Sequence, residues 1–137
     1  MIFLAVTSGL LVDYCCNYCD ENDDIVHFFI KCENTSKFWQ TFTNWLGNTL
    51  EEDFKIMHHD IIFGHFSDAP RKDVINYCLI IAKYYIYLEK LKGNNDINLL
   101  TYLSILKKEL LTKYEYACIT NQVEEFDNKW NCIYREI

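Results

Sequence analysis

Within seventeen residues the chain carries Cys16, Cys19, His27 and Cys32, spaced C-x2-C-x7-H-x4-C. No other feature restricts the fold so tightly. A Zn²⁺ ion takes four ligands in a tetrahedron and favours thiolate sulfur and imidazole nitrogen. Two residues between Cys16 and Cys19 suit the tight turn that offers two sulfurs to one ion. Phe28, Phe29, Ile30 and Lys31 separate His27 from Cys32, enough for one short turn to aim both inward. Cys15 stands beside Cys16, so a Cys15-x3-Cys19 pair stays open as the first half of the site. Four protein ligands leave no position for water or substrate, and such a site is structural. Its expected work is to hold a small segment folded around Zn²⁺.

The cysteine count supports metal over disulfides. Seven is an odd number, and four of the seven crowd into residues 15–32 beside a histidine. That crowding points to a reducing compartment and a metal. Cys78, Cys118 and Cys132 fall in helix-like stretches and read as small buried hydrophobes. His58, His59 and His65 have no ligand-like neighbours and read as connector residues.

Half of the 137 residues are hydrophobic and 16% are aromatic, ample for a core and contrary to disorder. One Pro and four Gly leave few turn residues, so long helices are expected. The predicted fold is mainly α: a small CCHC knuckle-like segment, then a helical bundle of about four helices. The chain divides into an apolar N-terminal segment (1–14), the zinc segment with a first helix (15–47), a connector (48–69) and a helical body (70–137).

Helical periodicity sets the elements. The first helix starts at Asn34 or Thr35, good N-caps, and carries Phe38, Phe42, Trp45 and Leu46 on one face, with Gly47 as its stop. In the connector, the apolar Ile61-Ile62-Phe63-Gly64 must bury somewhere. A second helix begins at Asp68-Ala69-Pro70 and runs to about Leu91, with Gly93 beyond it and Ile75, Leu79, Ala82 and Ile86 as its buried stripe. A third follows Asp96 and uses Leu99, Leu100, Leu103, Leu106 and Leu110. A fourth covers Gln122 to Tyr134, with Val123, Phe126, Trp130 and Ile133 on one side. The greasy run Leu79–Leu88 is too short to span a bilayer and has Lys83 at its middle, so no membrane partner is expected. Residues 1–12 are apolar but lack a positive leading region and a clean cleavage site. A secreted chain is therefore only the alternative to an intracellular one.

Taken in order, these residues form a longer pattern. Cys16-x2-Cys19, Asp24-Ile25-Val26-His27-Phe28-Phe29, Cys32 and Phe38-Trp39 are followed by Asp60-Ile61-Ile62-Phe63-Gly64 and by Leu79-Ile80-Ile81-Ala82-Lys83-Tyr84-Tyr85-Ile86-Tyr87. The series resembles the C-terminal zinc-binding region of non-LTR (LINE-type) retrotransposon reverse transcriptases, over roughly residues 13–135. The polymerase Tyr/Phe-x-Asp-Asp motif is absent from the chain, as is the endonuclease, and residues 1–12 do not match the family. The resemblance implies a zinc-stapled accessory domain that binds template RNA or target DNA during target-primed reverse transcription. Its implied partners are single-stranded RNA or DNA and the polymerase domain, in the nucleus or cytoplasm. No small-molecule substrate is implied.

Knuckle-type modules stack aromatics on unpaired bases and set Lys and Arg on phosphates. In that role Tyr18, Lys31 and Lys37 are the candidates near the zinc segment. Lys83, Tyr87 and Lys90, with Tyr84 and Lys92 beside them, form a second stripe. Phe38-Trp39 reads instead as core that packs the zinc segment on the first helix. The formal net charge of −7 opposes a phosphate-binding role, because that affinity comes mostly from Lys and Arg. It favours the alternative, a protein-interaction or structural zinc module without nucleic acid. An enzyme is not expected, since a closed zinc site cannot activate water and no nucleophile-base pair or phosphate loop is legible.

Overall fold

The computed structural model describes residues 24–53, 55–64, 71–94 and 96–137. Residues 1–14, part of the zinc segment and the Asp68-Ala69-Pro70 helix start lie outside them. The described residues are mainly helical, with no strand among them. A π-helical turn, His27–Lys31, precedes five α-helices: α1 Glu33–Leu50, α2 His58–Phe63, α3 Lys72–Leu91, α4 Leu99–Ile119 and α5 Val123–Tyr134.

Each long helix exists because one of its faces is apolar at helical spacing. On α1 the buried face is Thr35, Phe38, Trp39, Phe42, Leu46 and Leu50. On α3 the expected stripe of Ile75, Leu79, Ala82 and Ile86 is fully buried. On α5, Phe126, Trp130 and Ile133 are buried. The stripes meet in one core where α1, α3 and α4 converge. There the Tyr102 ring lies 5.6 Å from Phe38, 5.4 Å from Phe42 and 6.3 Å from Tyr85. Such ring pairs add to the burial of their area. The two buried phenols are satisfied. Tyr102 Oη donates to the Cys78 carbonyl at 2.9 Å, and Tyr85 Oη accepts from the Asn98 N–H at 3.0 Å. Asn98 also caps α4, its Oδ1 accepting from the Thr101 N–H at 2.9 Å.

Order in the chain is order in space for α3, α4 and α5, with α1 and the π-turn laid across them. Arg71 links two of these elements, donating from Nη1 to the Leu50 carbonyl at the end of α1 at 3.3 Å.

Five expectations need correction. α1 starts at Glu33 with Cys32 as its N-cap, ahead of the expected Asn34 or Thr35, because the π-turn runs directly into it. Gly47 does not end α1, because Leu46 and Leu50 continue the buried stripe through it. The helix stops at Glu51, which takes a left-handed φ of 55°, and the Glu52 N–H returns to the Gly47 carbonyl at 3.1 Å. A Cβ at Gly47 would lie only 3.2 Å from the Glu52 carbonyl oxygen, so glycine serves that close return. Leu100 is 80% exposed and is no part of the α4 stripe; Tyr102 holds the core position. Cys118 is exposed, while Cys78 is buried as expected and Cys132 is half-buried. Within the connector, Ile61-Ile62-Phe63 ends a short helix. It buries Ile61 in the core and leaves Phe63 exposed. Gly93 stands just past α3 with a left-handed φ of 73°, as a C-terminal stop requires.

Candidate metal half-site and nucleic-acid face

The segment that leads into α1 is built around an unusual turn. The Asp24 carboxylate accepts from the His27 N–H at 2.7 Å and starts the turn. The Cys32 N–H then donates to the His27 carbonyl at 2.9 Å, an i→i+5 bond. In a regular α-helix, side chains five residues apart point about 140° away from each other. A wider i→i+5 turn reduces that offset, and such turns are frequent at functional sites. The x4 spacing between the two expected ligands is thus matched by a turn of the same length. His27 and Cys32 are both buried, at 4% and 0% exposure.

Cys32 is also the first residue of the α1 cap. Its carbonyl accepts from the Ser36 N–H at 2.8 Å and from Thr35 Oγ1 at 2.9 Å. One turn further on, Trp39 Nε1 donates to the Phe29 carbonyl at 2.6 Å. Phe38 and Trp39 are buried and hold the turn on the helix, as the sequence implied. Phe28 packs edge-on to Phe29 and faces α3, where Lys90 Nζ sits 4.7 Å over its ring.

Cys16, Cys19, Cys15 and Tyr18 lie outside the described residues. Among the described residues no three His, Cys, Asp or Glu side chains gather as a metal site. His27 and Cys32 are the half of the expected set that can be placed. One backbone bond joins the two residues, and their donors, imidazole nitrogen and thiolate sulfur, are of the kinds that a Cys₃His zinc site uses.

The expected nucleic-acid residues separate into three groups. Lys31 and Lys37 are exposed, and Lys37 Nζ is 3.4 Å from Glu33 in a solvated i,i+4 pair. Lys83 and Tyr87 line a groove of 280 Å³ between the π-turn, α2 and α3, with Phe29 and Tyr84. Tyr84 is 56% exposed there, and burial holds the Lys83 ammonium below its ordinary pKa. Lys90 behaves differently from expectation. Its ammonium is buried, without a hydrogen-bond partner, on the Phe28 ring. The fold withdraws it from any phosphate and uses it to pack the turn against α3.

Sequence reasoning missed two features. One is Phe29 as a wall of the Lys83 groove, which no helical period could reveal because the π-turn breaks it. The other is a groove of 650 Å³ on the side of α1 that carries Gln40 and Asn44, lined also by Lys31, Lys55 and His58. His58 had read as a plain connector residue. No helix among the described residues is long and apolar enough to cross a membrane. No protein-family model matches the chain, and no curated protein or solved structure matches it.

Proposed function

We propose that this chain is a nucleic-acid-binding accessory domain of a retrotransposon-type reverse transcriptase, with a structural zinc held by Cys16, Cys19, His27 and Cys32. The observation that carries the reading is the i→i+5 turn. It ties His27 to Cys32 and is fastened by Trp39 to a helix packed in the core. A zinc at this position staples a short segment to a helical body that is already folded. The body then presents the segment rigidly to a single strand of RNA or DNA.

The strand-binding face is the groove beside the turn. Tyr84 and Tyr87 offer aromatic rings next to Phe29, and Lys83 supplies charge. Base-aromatic stacking contributes about 1–3 kcal/mol per base and tolerates any sequence. Lys31 and Lys37 are exposed and add charge, Lys37 in a pair with Glu33, while the acidic sequence Asp20–Asp24 opposes phosphate. The role includes no chemistry of its own.

The test is binding of a short unstructured RNA across a salt series. A face that neutralises about three phosphates loses roughly twentyfold in affinity between 50 and 200 mM salt. Tyr84→Ala should weaken binding at every salt concentration, and Lys83→Glu should flatten the slope. No binding at 50 mM salt would turn the reading to the alternative, a protein-docking zinc module, which the net charge of −7 favours.

A further inference from the structure

The larger groove has a lining that the rest of the chain does not predict. The chain carries 20 Asp and Glu against 13 Lys and Arg, yet among the described residues no carboxylate lines this groove. Its charged or titratable side chains are Lys31, Lys55 and His58. Along α1 its wall is a column of uncharged hydrogen-bonding groups, Ser36, Gln40, Thr43 and Asn44. Ser36 to Asn44 spans about 12 Å of helix. Trp39, Ile30 and Ile61 form the apolar floor. Beyond Asn44 the surface changes sign, since Glu51, Glu52 and Asp53 line an adjoining groove. The groove therefore combines cationic side chains, Lys31 and Lys55, with the side-chain amides of Gln40 and Asn44. Its 650 Å³ lies in the range of pockets that take small ligands.

We propose that this groove binds one nucleotide unit, its phosphate on Lys31 and Lys55 and its base edge on Gln40 and Asn44. Side-chain amides pair bidentately with an adenine edge. An ammonium set against phosphate is a charge-assisted bond, stronger than a neutral one. The π-turn and α2 wall both grooves, the turn through Phe29 on one side and Ile30 on the other, and α2 through Ile62 and Ile61. A strand stacked in the Lys83 groove can thus place a neighbouring nucleotide in this one. The inference extends the single-strand reading, but its occupant can be measured alone.

The experiment is calorimetric titration of the full chain with AMP, adenosine and inorganic phosphate. AMP should bind more tightly than either of the others. Lys55→Glu and Gln40→Leu should each weaken AMP by about tenfold or more. Both residues are exposed, so the variants should melt like wild type. Lys108→Glu, exposed on α4 and in neither groove, should leave AMP affinity unchanged. Phosphate binding as tightly as AMP, no AMP binding at millimolar concentration, or AMP binding indifferent to both substitutions would overturn the proposal. Loss of strand binding with AMP binding intact would sink the strand-binding face alone. Strand binding without AMP binding would sink only the groove.

Discussion

Trp39 shows how much one side chain can settle. Its ring belongs to the core, and its Nε1 donates to the Phe29 carbonyl at 2.6 Å, so one residue fixes both α1 and the turn before it. Trp39→Phe keeps most of the apolar contact and removes the donor. It should cost about 1–3 kcal/mol in a denaturant titration, the range for leaving a part-buried acceptor unpaired. The core role of Trp39 was legible from its place in the helical period. The bond was not, because it depends on a turn whose width the period does not encode. Lys90 has the same lesson: its spacing put it on a stripe with Lys83, but Phe28 draws its ammonium inward.

Two buried acids set a limit at high pH. Burial pushes the Cys78 thiol up from 9.0 to about 12, and it raises the fully buried Tyr102 phenol well above 10.0. Both groups are neutral when protonated, and the folded state binds the proton more tightly than the unfolded chain. Their contribution is complete below the unfolded values and is lost as pH rises toward the folded ones. Under reducing conditions the melting temperature should hold from pH 7 to about 8.5 and fall from about pH 9 upward. Cys78→Ala should reduce the steepness of that fall. An unchanged slope would show that the Cys78 thiol is accessible to titration in the native state.

At the scale of elements, the long helices were legible and their ends less so. α3 carries the stripe that the sequence predicted, and α5 carries it from Phe126 onward while Val123 is only half-buried. α1 runs past Gly47 because the stripe continues to Leu50, and a packed face outweighs the local cost of glycine. α4 starts as Asn98 dictates, but its run of leucines misled, for Tyr102 took the core position that Leu100 was expected to share. The π-turn was least legible. The H-x4-C spacing is compatible with a regular helix as well as with this wider turn, and the apolar period does not mark it. Deleting Lys31 should convert the wide turn to an ordinary one. It should move Phe29 away from Trp39 and reduce zinc affinity, while far-UV circular dichroism stays near wild type. Unchanged zinc affinity in that variant would mean that the turn is not matched to the metal.

Across the whole molecule, the account predicts a division of labour. Helices α3, α4 and α5 bury one another and should remain folded without metal. The segment up to Cys32 is too short to bury a core of its own, so its order should depend on zinc. Chelation should accelerate amide exchange around residues 24–32 and leave Leu106, Leu110 and Trp130 protected. The helical body was readable because apolar periodicity is a local signal. The candidate site was readable only as a list of residues, since neither the width of the local turn that joins His27 to Cys32 nor its fastening to α1 through Trp39 is encoded in the apolar period.

The proposed structural zinc takes Cys16, Cys19, His27 and Cys32 as its ligands. Native mass spectrometry of the full chain, alongside the Cys15→Ser and Cys16→Ser variants, tests it most directly. One zinc is expected in wild type, one in Cys15→Ser and none in Cys16→Ser. A metal-free wild type purified with zinc present, or zinc retained in Cys16→Ser and lost in Cys15→Ser, would contradict the ligand set.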